Sequence, residues 1–290
     1  MTQAGMQEYR RPDSADTPSP GLPPPHEGPA CSGEPLVVVR EVSHTFPGPN
    51  GSAPVQALSR VSLEVREGEF LAVVGPSGCG KSTLLEIMAG LLAPTQGQVY
   101  IRGEPVRGPR PDIGVVFQED STFPWLTALE NVEFGLRMRG VPADARRQAA
   151  RAMIELVGLA GFEQHFPHQL SGGMRQRVAI ARTLVLQPRI ILMDEPFGAL
   201  DAQTRLAMGD ELLRICERLR ATIFFVTHDI AEAVRLADRV VLMSARPGTV
   251  RLVLDNPLPR PREFAAVASR PEFSQLVGRL WETLRQEVAR

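Results

Sequence analysis

The sequence predicts an α/β fold in which a parallel sheet carries an antiparallel β section and an inserted helical unit. Three patterns lead there. Short, wholly apolar segments recur at residues 70–74 (FLAVV), 190–193 (IILM) and 223–226 (IFFV), as expected of strands covered on both faces. Val61, Leu63 and Val65 alternate with Ser62, Glu64 and Arg66, the period of a half-buried antiparallel strand. Between Gln118 and Leu170 the apolar spacing turns helical.

The first apolar strand runs into GPSGCGKST, Gly75 to Thr83. Its stretch from Gly75 to Ser82, with Pro76, Ser77 and Cys79 in between, fills the phosphate-loop pattern G-x-x-x-x-G-K-[ST]. Gly75, Gly78 and Gly80 permit backbone conformations that side chains forbid, so successive N–H groups can turn inward around an anion. From Lys81 onward Leu84, Leu85, Met88 and Leu91 keep helical spacing, which starts a helix where the glycines stop and aims its positive end at the same point. In this pattern Lys81 reaches the terminal phosphates and the Ser82 hydroxyl ligates Mg²⁺. Cys79 reads as a small packing residue. Taken alone, the loop says that a nucleoside triphosphate binds.

Composition narrows the partners. A net charge of −1 gives no electrostatic footprint for nucleic acid, and 43% apolar with 22% charged residues is ordinary for a soluble protein. Cys31, Cys79 and Cys216 are too scattered for a disulfide framework or a zinc site, which fits a reducing compartment. No apolar run approaches the roughly 20 residues that cross a bilayer. The start, MTQAGMQEYRR, lacks the apolar core of a secretion signal. The chain is expected in the cytosol unless a partner holds it at a membrane.

In chain order, residues 1–35 hold eight prolines and no Ile, Val or Phe, the composition of a disordered tail. Strands begin at Leu36, and PGPNGSAP is a loop that follows Phe46. Phe46 can fill a core or offer a stacking face to a purine. Residues 98–102 and 113–118 read as further strands, the second ending in Gln118, whose amide could meet a metal at the phosphate loop. Phe123, Pro124 and Trp125 fall in a loop, and Thr127 with Glu130 forms a capping box that starts a helix running toward Gly140. A second helix, about residues 143–157, places Ala149, Ala152, Met153 and Leu156 on one face and Arg146, Arg147 and Arg151 on a solvated side.

Further on, LSGGMRQR creates a second exposed helix start. Ser171 is a good N-cap, and Gly172 and Gly173 leave N–H groups uncovered for an anion. Alone it would read as a capped helix with a flexible start, but it does not stand alone. The strand at 190–193 delivers Asp194 and Glu195 at its tip, the first suited to holding Mg²⁺ through water and the second to accepting a proton from an attacking water. The strand at 223–226 delivers Thr227, His228 and Asp229 at the same edge, where ligands of open α/β sheets collect. Near the end, Phe273, Leu276, Leu280 and Leu284 share helical spacing and predict a helix packed on the core.

Across about residues 36–254, in the order GPSGCGKST, FQ, LSGG, LMDEP, GALD and THD, the chain resembles the ATP-binding subunits of ATP-binding cassette (ABC) transporters. The resemblance implies a phosphate-loop NTPase core of the RecA-like kind at residues 36–255, a helical subdomain at about 119–170 and a helical extension at 256–290. It implies that Phe46 stacks on adenine, that the loop residues Gly75 to Thr83 bind the phosphates of ATP, and that Ser82, Gln118 and Asp194 serve Mg²⁺. It implies that Glu195 is the general base and that His228 contacts the γ-phosphate. Ser171, Gly172 and Gly173 would act on ATP held by a second copy, with Asp201 bridging the two sites of a head-to-tail dimer.

Family members work with membrane permease subunits and an extracytoplasmic solute-binding protein, at the cytoplasmic face of the cell membrane. The stretches VFQEDSTFPWLTALENV and LMDEPFGALDAQTR look most like the nitrate, sulfonate and taurine import branch. Met174, Gly198 and Phe46 stand where Gln, Ser and Tyr are usual, and none of the three removes a phosphate, metal or proton-transfer group. Importers of another small solute are the near alternative. Soluble cassette ATPases acting on DNA or the ribosome usually carry two cassettes or a long coiled-coil insertion, and neither fits this chain.

Overall fold

The computed structural model describes residues 35–48, 52–118, 121–260 and 262–288. The tail expected over residues 1–35 lies outside the described residues except for Pro35. Strands β1 (Pro35–Phe46), β2 (Val55–Arg66), β4 (Gln96–Ile101) and β5 (Glu104–Pro105) form an antiparallel sheet in the order β2-β1-β4-β5. The second sheet has the order β10-β9-β3-β8-β7-β6. In it β3 (Phe70–Val74), β6 (Ile113–Val116), β7 (Ile190–Asp194), β8 (Thr222–Val226) and β9 (Arg239–Met243) run parallel, and β10 (Val250–Asp255) closes one edge antiparallel. The helices are α1 (Lys81–Met88), α2 (Ala128–Met138), α3 (Ala143–Leu156), α4 (Gly172–Leu184), α5 (Ala202–Leu219), α6 (Ile230–Leu236), α7 (Phe264–Val267) and α8 (Pro271–Val288).

The apolar runs are apolar because both faces of the parallel sheet are dry. Side chains alternate along a strand, so Phe70, Ala72 and Val74 of β3 join one core while Leu71 and Val73 join the other. Ile191 and Met193 of β7, Ile223 and Phe225 of β8, and Val240 and Leu242 of β9 follow the first set. Ile190, Leu192, Phe224, Val226, Val241 and Met243 follow the second. The first core is completed by α4, α5, α6 and α8; the second by α1 and the antiparallel sheet. Helix α1 is thus wedged between two sheets, which holds its N-terminus at the end of β3.

Several elements depart from the sequence reading. Helix α1 ends at Met88, because Gly90 turns at φ 73° against the backbone of Gly108; Leu91 lies past the turn and is exposed. The β6 strand stops at Val116, so Phe117 and Gln118 stand beyond it, both exposed. The buried face of α3 is Ala150, Met153 and Ile154, continued by Val157, whereas Ala149, Ala152 and Leu156 are half-buried. The helix packs on both α2 and α4, which rotates its apolar stripe. Arg146 is not simply solvated: its Nε lies 3.3 Å from the buried Glu133 carboxylate of α2.

Thr127 forms the expected capping box, accepting from the Glu130 N–H at 3.3 Å while Glu130 accepts from the Thr127 N–H at 2.8 Å. At the other end of the chain, α8 lays Phe273, Leu276, Leu280 and Leu284 on the first core, with Leu280 fully buried. Replacing Leu280 by Ala is expected to cost about 2–5 kcal/mol in urea denaturation, through lost burial and the cavity left behind. A loss below about 1 kcal/mol would mean that α8 is not part of the cooperative unit.

Candidate active site

Strand register gathers the site. Val73 pairs with Val226, Asp194 with Val226, and Val74 with Leu242, so the chain leaves β3, β7, β8 and β9 at one edge of the sheet. From β3 it enters the phosphate loop, where a side chain at Gly75 would stand 2.9 Å from the Met243 carbonyl. Gly80 closes the loop at φ 99° as the cap of α1, a conformation open to glycine. The buried Lys81 Nζ donates to the carbonyls of Gly75 at 2.9 Å and Pro76 at 3.1 Å. Held by neutral carbonyls, this ammonium keeps its charge available to a phosphate. Cys79 is buried in the loop and burial pushes its thiol up, so it packs and is not a reactive thiolate.

The acids meet this loop. The Ser82 hydroxyl lies beside the Asp194 carboxylate, whose Oδ1 is buried without a protein partner. An orphaned, buried carboxylate oxygen beside a hydroxyl is the donor set of a hard divalent cation, so Ser82 and Asp194 fit Mg²⁺. Glu195 follows at φ 42° with its N–H bonded to the Val226 carbonyl at 2.9 Å. Its Oε2 is 2.9 Å from His228 Nδ1, joining the acid from β7 to the imidazole from β8.

Two contributors carry no role in the sequence reading: Thr227 with its partner Glu232, and a turn distant in the chain. Thr227 donates to Glu232 Oε2 at 2.6 Å and accepts from the Asp229 N–H at 3.0 Å, which props the backbone of His228 on α6. Burial lifts the Glu232 carboxyl above its ordinary range. The turn after β9 is the second: Arg246 Nε and Nη2 donate to the Gly78 carbonyl at 3.2 and 3.1 Å. Its available sequence signal is an Arg-Pro-Gly turn following an apolar strand.

The other sequence candidates lie around this centre. Phe46 ends β1, 38% exposed, with its ring edge-on to His44 at 4.5 Å; the core-filling alternative is thereby set aside. Gln118 is exposed beyond β6. Ser171 caps α4, accepting from the Met174 N–H at 3.3 Å, and Gly172 and Gly173 face α5 and the turn before it, near Leu200 and Thr204. A Cβ at Gly173 would come within 2.8 Å of the Thr204 methyl. Asp201 caps α5 through the N–H groups of Gln203 and Thr204, at 3.1 and 3.0 Å, and its bonds to Thr204 hold its carboxyl low. The Ser171 and Asp201 helix starts therefore adjoin each other, while Lys81, Ser82, Asp194, Glu195 and His228 form a separate cluster on the strand ends.

Beyond β6, the buried Asn131 donates to the Phe123, Leu126 and Thr127 carbonyls and accepts from the Phe123 N–H. This fixes the loop that carries Trp125. Phe123 packs on Phe134, with the Arg182 guanidinium 5.0 Å from its ring, and Trp125 is 70% exposed. Burial of Trp125 inside the helical unit is thus excluded.

Residues 58–198 match the family described as ABC transporter. The chain is 52% identical over 234 residues to an uncharacterized ABC transporter ATP-binding protein of Methanocaldococcus jannaschii, covering 81% of this chain and 86% of that one. It is 47% identical over 238 residues to a nitrate import ATP-binding protein of Synechococcus elongatus, covering 81% and 86%. A taurine import ATP-binding protein of Burkholderia pseudomallei is 46% identical over 255 residues, covering 86% and 96%. Among solved structures, a dimeric ATP-binding cassette in a post-hydrolysis state with ADP and phosphate superimposes with a TM-score of 0.68 at 37% identity, covering 77% of this chain and all of that one.

Burial raises the Asp194 carboxyl above its ordinary range; the Ser82 hydrogen bond opposes this, Glu195 adds to it and Lys81 lowers it. A raised acid makes the folded state hold its proton more tightly than the unfolded chain does. Nucleotide-free protein therefore loses stability as pH rises from the ordinary carboxylate range through the raised value. Asp194→Asn removes that loss: thermal unfolding across pH is expected to show the variant more stable than the parent above this window and equal to it below. The same variant is expected to lose the extra stabilisation that Mg²⁺ adds to ATP.

Proposed function

The chain belongs to the ABC transporter family, and from that membership we propose that it is the ATP-hydrolysing subunit of an importer for a small anion of the nitrate, sulfonate or taurine kind. The observation that carries the reading is the line Ser82, Asp194, Glu195 and His228 along one sheet edge beside the phosphate loop. Relatives named for nitrate and taurine import, at 44–47% identity, support the choice of branch.

In this mechanism Lys81 and the loop N–H groups bind the phosphates, and Phe46 stacks on the adenine. Ser82 and Asp194 would hold Mg²⁺ and Gln118 would serve it; the ion would neutralise the phosphate oxygens. Glu195 accepts the proton of the attacking water. His228 keeps that carboxylate aimed and meets the γ-phosphate. The Ser171, Gly172 and Gly173 helix start lies beside α5 and serves ATP on a second copy, whose own helix start serves this one in return. Asp201, rigid at the head of α5, sits where the two sites exchange contacts. ATP then joins two protomers head to tail, and hydrolysis releases them.

The membrane permease is the partner that turns this cycle into transport, and an extracytoplasmic solute-binding protein selects the solute. The loop from Phe123 to Trp125, braced by Asn131 with Trp125 exposed, and the Thr127 helix after it offer the permease a landing site at the cytoplasmic face of the membrane. Among the described residues, no helix is long and apolar enough to cross a membrane.

Glu195→Gln is expected to cut turnover by about 10²–10⁴-fold while ATP-bound dimers accumulate in gel filtration. Unchanged turnover would remove Glu195 from the role of base. Trp125→Ala is expected to leave basal ATPase and the unfolding midpoint unchanged and to lower only permease-stimulated ATPase; a parallel fall in all three would end the coupling assignment. Uptake of labelled nitrate and taurine into vesicles holding the reconstituted importer tests the solute class directly.

A further inference from the structure

We propose that Arg246 is a positioning residue for the phosphate loop, orienting the peptide between Gly78 and Cys79 from outside so that its N–H faces the bound triphosphate. The inference rests on the assignment of that loop to the phosphates of ATP and extends it to a turn far away in sequence.

The turn is fixed before it touches the loop. Ser244, buried at the end of β9, donates through its hydroxyl to the Pro247 carbonyl at 3.0 Å and accepts from the Thr249 N–H at 2.9 Å. Gly248 donates to the Ala57 carbonyl at 2.8 Å and accepts from the Ser59 N–H at 3.0 Å, which bonds the turn to β2. Gly248 also passes so close to the loop that a Cβ on it would overlap the Cys79 carbonyl. Against the same stretch of β2, a Cβ at Gly80 would meet Leu58 Cδ2 at 2.6 Å. The loop thus abuts β2 and the β9–β10 turn bonded to it, and only backbone fits at Gly80 and Gly248.

Arg246 completes the grip with charge. Both of its donors converge on one acceptor, the Gly78 carbonyl. A peptide plane is rigid, so pinning its C=O outward forces the attached N–H of Cys79 to the opposite side, the concave side of the loop. A guanidinium on the carbonyl also polarises that peptide and strengthens the N–H as a donor to an anion. The same N–H reaches the Pro76 carbonyl at 3.3 Å, a long bond that a phosphate oxygen can replace. Arg246 itself is solvent-exposed, so its removal opens no cavity.

The test is steady-state ATPase and ADP inhibition with Arg246→Ala and Arg246→Gln in the full chain, alongside Lys81→Ala. Arg246→Ala is expected to raise KM for ATP and Ki for ADP together by about five- to tenfold, with kcat within about twofold and the unfolding midpoint unchanged. Gln, a neutral donor long enough to reach the Gly78 carbonyl, is expected to recover most of the loss. A KM within about twofold of the parent in Arg246→Ala overturns the proposal. So does a KM that rises while Ki for ADP stays at the parent value, because Arg246 would then act on the γ-phosphate and not through the loop. Lys81→Ala separates the two layers: if it still binds ATP as the parent does, the loop's assignment fails whatever Arg246 does.

Discussion

Every chemical group in this protein depends on a sheet that is dry on both faces. Once β3, β7, β8 and β9 are buried on both sides, their backbone bonds must be made within the sheet, and their register leaves little freedom. That register ends the strands together, and polar chain begins again only where they end. Gly75, Glu195 and Thr227 are thus delivered to one edge by packing alone. The two cores are held apart by a period of two, so a single slip would drive Phe70 and Phe225 into the wrong layer.

At that edge the chain tolerates features that a purely structural site would not keep. Asp194 has a buried oxygen with no partner, and Lys81 is buried on carbonyls. Glu195 adopts a left-handed backbone conformation. Each is unfavourable by itself, and in the proposed site a triphosphate with its metal would supply opposite charge to Lys81 and a partner to the Asp194 oxygen. Stability and function pull against each other here, and the surplus comes from the cores on either side of the sheet.

The cluster on the strand ends and the pair of helix starts at Ser171 and Asp201 form separate patches. One patch has a lysine, two carboxylates and an imidazole; the other has two helix starts, capped by Ser171 and Asp201. In the head-to-tail arrangement that we propose, each patch supplies what the other lacks. The Trp125 loop leads into α2, which packs on α4, so in the proposed importer a push on that loop would reach the Ser171 helix.

The sequence alone determined what local chemistry dictates. The phosphate loop, the Ser171 and Thr127 caps, the apolar strands and the acids at their tips are each written in a short contiguous run, because turn conformation, capping and alternation depend on near neighbours. Tertiary structure decided what depends on distant ones. It stopped α1 at Met88 and left Leu91 in solvent, exposed Phe46, rotated the buried face of α3, and paired Arg146 with Glu133. It also brought Arg246 to Gly78, a contact across 168 positions of chain. No local pattern encodes which carbonyl a distant guanidinium will meet, since that is settled only when β9 has docked beside β3 and the turn beyond it has been pressed against β2.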